Sequence, residues 1–164
     1  MFGIDDTSLE RCIAGGFIQY NDHIKQVYDD LLAAIFSLQS TKWDQVRSAI
    51  VSGGKGTGKT ALVCKLALEC GFPFVKIIHP DDLVGYHSNG KAIKINEVFQ
   101  DAYKSDLSLI IIDDIERLIE FNHFSGQYSN VILQDLQTNC KKRPPKDNGK
   151  IFVLGTTSIP DIMS

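Results

Sequence analysis

The sequence predicts an α/β fold in which a parallel β-sheet lies between two layers of helices, and three observations carry the prediction. The apolar run at 46–51 is followed directly by Gly53-Gly54-Lys55-Gly56-Thr57-Gly58-Lys59-Thr60 and then by a helical pattern. The run Leu107-Ser108-Leu109-Ile110-Ile111-Ile112 is nearly continuous in apolar residues, as in a strand buried on both faces, and it ends in Asp113-Asp114. Around these runs helical and strand patterns alternate throughout, which calls for right-handed crossovers between parallel strands.

In chain order, Thr7-Ser8-Leu9-Glu10 matches a capping box, so a short helix is expected over 7–12, broken by Gly15-Gly16. Asp22 can cap a second helix whose Ile24, Val27, Tyr28, Leu31, Leu32 and Ile35 recur at three- and four-residue intervals and form one apolar face. Residues 39–44 read as a polar connection, with Trp43 a packing residue at a core edge. After the glycine-rich loop, residues 61–69 read as a helix with Leu62, Val63, Leu66 and Ala67 inward, closed by Gly71.

A strand over 72–78 follows, and Pro73 suits its first residue or a sheet edge better than its centre. His79-Pro80-Asp81-Asp82 turns the chain, residues 91–103 form a helix through Ile95, Val98, Phe99 and Ala102, and residues 107–112 form the buried strand. A short helix through Ile115, Leu118 and Ile119, a loop over 122–126, a helix over 129–140 and a last strand over 151–154 complete the pattern. The basic run Lys141-Lys142-Arg143-Pro144-Pro145-Lys146 cannot be helical across its prolines and reads as a solvated loop rather than a binding patch.

With 164 residues the chain suits one domain. Its 43% hydrophobic and 23% charged residues and net charge of −3 are those of an ordinary soluble protein, without the basic excess of a nucleic-acid binder. No apolar run approaches the roughly 20 residues of a membrane span, and the first residues lack the basic and apolar regions of a signal peptide, so the cytoplasm is the expected compartment. Cys12, Cys64, Cys70 and Cys140 show no metal-ligand spacing and are expected to be reduced thiols, some of them buried.

The segment 53–60 fits G-x-x-x-x-G-K-[ST] in the strand-loop-helix context that this phosphate-binding motif requires. Its glycines allow backbone N–H groups to turn inward around an anion, and the following helix adds the positive end of its dipole. Gly54, Lys55, Gly56, Thr57, Gly58, Lys59, Thr60 and Ala61 are therefore the candidate nucleotide-binding residues, with Lys59 reaching the β- and γ-phosphates and the Thr60 hydroxyl on a Mg²⁺ ion. A plain glycine-rich turn is the alternative, but it has no need for Lys-Thr at that offset.

Such a loop needs a carboxylate from the end of a neighbouring buried strand; Asp113 is the candidate metal ligand and Asp114 the general base that orients water. The alternative for Asp113 is a helix cap. The hydroxyls after the last strand, Thr157 or Ser158, read either as a sensor of the γ-phosphate or as a turn held by its own side chains. No N-K-x-D signature for guanine is present, which favours adenine and hence ATP.

This arrangement resembles an AAA+ ATPase module of the P-loop NTPase class. Gly71-Phe72-Pro73-Phe74-Val75-Lys76, Asp101-Ala102-Tyr103-Lys104-Ser105, Ile112-Asp113-Asp114-Ile115-Glu116-Arg117-Leu118, Tyr128-Ser129-Asn130-Val131-Ile132-Leu133-Gln134 and Gly155-Thr156-Thr157-Ser158 resemble the second ATPase domain of the vesicle-fusing ATPases, the N-ethylmaleimide-sensitive factor family. The resemblance implies an ATP- and Mg²⁺-binding domain within a homo-hexamer that takes apart SNARE complexes through a SNAP-type adaptor. It further implies a cytoplasmic protein peripheral to vesicle and Golgi-type membranes, whose second domain mainly holds ATP and keeps the ring together. It places Phe17 and Ile18 against the adenine, with core packing as their alternative. It also implies a further strand and a helical lid after Ser164, so that 1–164 is expected to be the large subdomain of one module.

Three features depart from the pattern. Asp114 stands where most such modules have a glutamate, Gln127 where an arginine is frequent, and Leu83-Val84-Gly85-Tyr86 does not have the order of an aromatic pore loop.

Overall fold

The computed structural model describes residues 6–14, 22–40, 45–122, 124–145 and 149–159. Its strands are β1 (Gln45–Ser52), β2 (Phe74–Ile78), β3 (Leu107–Ile112) and β4 (Lys150–Thr157), and they form a parallel sheet in the order β1-β4-β3-β2. The helices are α1 (Asp6–Ile13), α2 (Asp22–Ser40), α3 (Lys59–Glu69), α4 (Ser88–Ala102), α5 (Ile115–Leu118) and α6 (Asn130–Lys141). A turn of 3-10 helix, Pro80–Leu83, begins where the sequence suggested only a change of direction.

Side-chain alternation sorts the strands between two cores. Val75, Ile77, Leu109, Ile111, Phe152 and Leu154 face a core completed by Leu9 of α1, Leu31, Ile35 and Leu38 of α2, and Leu62, Val63 and Leu66 of α3. Phe74, Ile78, Ile110, Ile112, Ile151 and Val153 face the other, with Ile95 and Phe99 of α4, Ile115 of α5 and Ile132 and Leu136 of α6. The expected three-layer α/β architecture is what forms. Each of these side chains contributes about 1.5–3 kcal/mol by leaving water, so the two faces carry most of the stability. Between α4 and α6, the Asn96 amide donates to Asp135 Oδ1 at 2.7 Å and Asn139 donates to Asn96 Oδ1 at 2.9 Å.

The fold departs from the sequence reading in instructive places. The pairs of helices expected before β1 and between β3 and β4 are present as α1 and α2 and as α5 and α6, so strand and helix do not alternate one for one. Helix α2 runs on to Ser40, since Leu38 is buried one turn beyond the last expected contact. Pro73 falls just before β2, which is an edge strand among the described ones. The last strand extends past residue 154, because Gly155, Thr156 and Thr157 stay in register with Ile50, Val51 and Ser52 of β1. Val84 and Tyr86 are exposed after the 3-10 turn. Phe17, Ile18 and Trp43 lie outside the described residues.

Gly155 is where α5 crosses β4 closely: a Cβ there would stand 2.5 Å from Ile115 Cδ1. Ile115 is buried and can yield only by repacking, so Gly155→Ala should cost about 1–3 kcal/mol. Urea unfolding checks this, and an unchanged midpoint would mean that Ile115 has room to move.

Candidate functional site

The strands are parallel, so β1, β3 and β4 all end at one edge of the sheet, and each hands its next residues to the same place. After β1 the loop turns through Gly56 and Gly58, whose φ values of +78° and +83° lie in the left-handed region that side chains other than glycine's rarely adopt. The first bond of α3 runs from Leu62 N–H to the Gly58 carbonyl at 2.9 Å. The N–H groups of Lys59, Thr60 and Ala61 thus have no acceptor within the helix and face the concave loop, with the helix dipole behind them. Thr57 Oγ1 braces the loop by donating to the Gly54 carbonyl at 2.8 Å.

Lys59 lies inside this loop, only 9% exposed. Its Nζ donates to the Gly53 and Gly54 carbonyls at 2.9 Å each and reaches Ser158 Oγ at 3.4 Å. The lysine expected to meet phosphate therefore also holds the loop closed on itself, a structural duty that the motif does not announce.

The carboxylate arrives from β3, but not from the strand beside the loop strand as the sequence reading required. β4 lies between them. Thr60 Oγ1 nevertheless donates to Asp113 Oδ1 at 2.8 Å, so the two candidate metal ligands are in direct contact. Thr156 Oγ1 donates to the same oxygen at 2.7 Å and accepts Asp114 N–H at 3.0 Å, while His79 Nδ1 lies 3.3 Å from Asp113 Oδ2. Burial pushes the Asp113 pKa up, and the hydrogen bonds from His79, Thr156 and Thr60 outweigh it, leaving the carboxyl below its ordinary value. The same bond with Asp113 raises the His79 pKa against the opposing effect of burial.

Asp114 has φ +46° and ψ +61°, a strained conformation for a non-glycine residue that aims its side chain off the strand line. Its carboxyl is raised by burial and by the nearby Asp113 and Glu116 charges, with Arg117 and Lys59 opposing. Arg117 Nη1 lies 3.8 Å from Asp114 Oδ2, and Arg117 is also bound to Asp81. Ser158 donates its N–H to Oε1 of the buried Glu116 at 2.9 Å, and the Glu116 pKa, raised by burial, is brought below normal by the hydrogen bonds it accepts. Thr157 is buried, and its hydroxyl bonds the backbone of Ile159, so of the two sensor candidates only Ser158 faces Lys59. Gln127 is exposed, its carbonyl accepting Asn122 N–H at 2.8 Å.

Thr156, His79 and Glu116 are the site residues that sequence reasoning did not find. Thr156 and Glu116 lie within stretches that carry the family resemblance, 155–158 and 112–118, but nothing in the sequence singled them out there, and His79 was marked only as the opening of a turn. Thr156→Val keeps the shape but removes a donor to Asp113 and the acceptor of Asp114 N–H; a loss of about 2–3 kcal/mol is expected. Chemical unfolding of the variant tests it, and wild-type stability would show that neither bond matters.

A hydroxyl and a carboxylate in contact form the hard oxygen pair that a magnesium ion takes, and the loop offers N–H groups and an ammonium to an anion. Among the described residues no cluster of His, Cys, Asp and Glu offers a cation site made of protein ligands alone. Residues 49–164 match the family described as ATPase family associated with various cellular activities (AAA). The chain belongs to the AAA ATPase family. This AAA chain is 40% identical over 99% of its length to a vesicle-fusing ATPase of Dictyostelium discoideum, of which it covers 22%. It is 32% identical over 99% of its length to vesicular-fusion protein SEC18 of Saccharomyces cerevisiae, covering 21%. To a vesicle-fusing ATPase of Arabidopsis thaliana it is 36% identical over 96% of its length, again covering 21%. The chain thus spans about a fifth of the length of these relatives.

Proposed function

We propose that this chain is the nucleotide-binding module of a vesicle-fusing ATPase, binding ATP with Mg²⁺ at the common end of β1, β4 and β3. The observation that carries the reading is the 2.8 Å hydrogen bond between Thr60 and Asp113, which joins the phosphate loop to the acidic strand end. Thr60 and Asp113 would hold the metal, directly or through its waters. When bound, the ion neutralises phosphate charge and orients it. Lys59 and the loop N–H groups bind the phosphates, Asp114 orients water, and Ser158 reports on the terminal phosphate through Lys59.

The nucleobase fits the cleft of about 270 Å³ between the loop and the start of α2, where Ile24 and Val27 supply apolar surface near Gly53 and Gly58. Phe17 and Ile18, which lie outside the described residues, are proposed from the resemblance alone as further apolar contacts of the base. The whole protein is proposed to be a homo-hexamer acting on SNARE complexes through a SNAP-type adaptor, cytoplasmic and peripheral to membranes. Among the described residues no helix is long and apolar enough to cross a bilayer.

Asp114 favours a second reading in which bound ATP mainly staples neighbouring subunits. Its side chain is shorter by one methylene than the usual glutamate, and a misplacement of about 1 Å can cost around 10²-fold in rate. An arginine finger, whose absence costs about 10³- to 10⁵-fold, has no candidate at Gln127. Single-turnover hydrolysis by the isolated chain should therefore be slow, and Asp114→Ala should slow it further while leaving Mg²⁺-ATP affinity in place. Turnover of several per second that survives the substitution would overturn both the role of Asp114 and the staple.

A further inference from the structure

A second carboxylate is buried at the loop edge of the sheet, and the proposed nucleotide chemistry gives it no task. Glu116, on α5, is only 8% exposed, and glutamates are almost never buried to that degree unless paired with a cation. The hydrogen bonds that keep it ionised come first from its own N–H and then from Ser158. Oε1 accepts Ser158 N–H at 2.9 Å, whereas Oε2 has no hydrogen-bond partner among the described residues. A buried charge with one oxygen left unpartnered is a poor device for stability, and such departures from good packing mark functional positions.

Glu116 stands on a fixed element. Ile115 before it is buried against Gly155 of β4, so closely that a Cβ on Gly155 would stand 2.5 Å from it. Arg117 after it is bound to Asp81 and lies 3.8 Å from Asp114, and Phe121 N–H donates to the Glu116 carbonyl at 2.8 Å. Ser158, by contrast, stands one residue beyond the end of β4. Gly53 N–H still meets the Thr157 carbonyl at 3.2 Å, while β3 stays paired with β4 only as far as Gly155. The sheet therefore no longer fixes residue 158, and its N–H has Glu116 as acceptor. On its other side the Ser158 hydroxyl accepts from Nζ of Lys59, the lysine that fills the phosphate loop, at 3.4 Å.

We propose that Glu116 is a positioning residue: by holding Ser158 N–H it sets the Ser158 hydroxyl against Lys59, and through that pair the site tells a nucleoside triphosphate from a diphosphate. This rests on the reading of Ser158 as the sensor of the terminal phosphate. The hydroxyl can meet that phosphate only if the chain leaves β4 in one direction, and the contact with Glu116 fixes the direction. A hydrogen bond to a charged group is worth on the order of tenfold in affinity or more, so about tenfold is the share of the preference for ATP that depends on Ser158. The charge of Glu116 acts with the opposite sign. Removing a negative charge near the phosphates would by itself favour ATP, the more highly charged nucleotide, so a loss of preference for ATP reports positioning and not electrostatics.

Calorimetry of the full chain with Mg²⁺-ATP and with Mg²⁺-ADP, on the parent, Glu116→Ala, Ser158→Ala and the double variant, tests this. Each single substitution should lower the ratio of ATP to ADP affinity by about tenfold. The double variant should lose no more than Ser158→Ala alone, because two residues that act through one hydroxyl do not add. Glu116→Gln keeps an oxygen for Ser158 N–H and should restore most of the parent's ratio. An unchanged ratio in Glu116→Ala where Ser158→Ala lowers it, or losses that multiply in the double variant, would overturn the role of Glu116 and leave the sensor standing. A parent that binds neither nucleotide, or a Ser158→Ala protein with the parent's ratio, would overturn the underlying reading and this proposal with it. Should Glu116→Ala fail to fold, the unsubstituted protein still decides. Its Ser158 amide should exchange slowly with solvent and shift its resonance when Mg²⁺-ATP binds but not when Mg²⁺-ADP does; fast exchange, or the same response to both nucleotides, would overturn the proposal.

Discussion

Lys59→Ala should raise the dissociation constant for Mg²⁺-ATP by at least about 10²-fold, because a charge-assisted hydrogen bond contributes about 1.5–3 kcal/mol and Lys59 would supply such bonds to the phosphates. The sequence motif alone suggests that nothing else is lost. The structure adds a second effect. Lys59 is buried, and its Nζ caps the Gly53 and Gly54 carbonyls at 2.9 Å each, so alanine also removes the group that holds the loop shut without ligand. A loss of about 1–3 kcal/mol in stability should accompany the loss of binding. Lys59→Met separates the two, since it keeps most of the buried stem while removing the charge. Calorimetry and urea unfolding of both variants give the answer: unchanged affinity in either variant would remove the phosphate-binding role.

How much of this was legible in the sequence follows from the range of the interactions involved. Local patterns report local structure, so the motif at 53–60 placed the turn and the start of α3, and the nearly continuous apolar run of β3 announced a strand covered on both sides. The contact between Thr60 and Asp113 was foreseeable because two motifs with one chemical purpose have to meet. The strand order was not, since periodicity carries no information on which strands are neighbours, and β4 took the place between β1 and β3. Placing β4 there explains the residues that were missed. Thr156 can bond both Asp113 and Asp114 only because its strand runs between the other two, and Glu116 meets Ser158 only because α5 folds back over the end of that strand. His79 joins them because β2 ends beside β3, with Asp113 N–H bonded to the Ile78 carbonyl at 3.0 Å. The left-handed Asp114 is illegible for another reason: its conformation is imposed by the hydrogen bond to Thr156 and by the start of α5, against its own preference.

Asp113→Ala should be the most damaging single change to the site, because three donors converge on that carboxylate from three different elements. Thr60 comes from the phosphate loop helix, Thr156 from the central strand and His79 from the turn that follows the edge strand. Alanine takes the acceptor from the fully buried Thr156 hydroxyl and from the half-buried Thr60 and His79, and at about 1–3 kcal/mol for a buried polar group left unpaired, with less from the two that water can reach, a destabilisation of about 3 kcal/mol is expected. In a domain of this size that corresponds to a fall in melting temperature of roughly 6–12 °C. Asp113→Asn keeps the shape and one acceptor oxygen, so it should lose less stability while still losing the Mg²⁺-dependent part of nucleotide affinity, which needs the charge. The pH dependence has a definite sign. The folded-state pKa of Asp113 is below its ordinary value near 3.8, so its contribution to stability is complete above that value and disappears as the pH falls through the folded one. Unfolding curves of the parent and Asp113→Asn should therefore keep their full gap from pH 7 down to about pH 4 and converge only as the pH falls below the ordinary carboxylate value of 3.8. A gap that starts to close well above that value would mean that the charge of Asp113 is not what holds Thr60 and Thr156 in place.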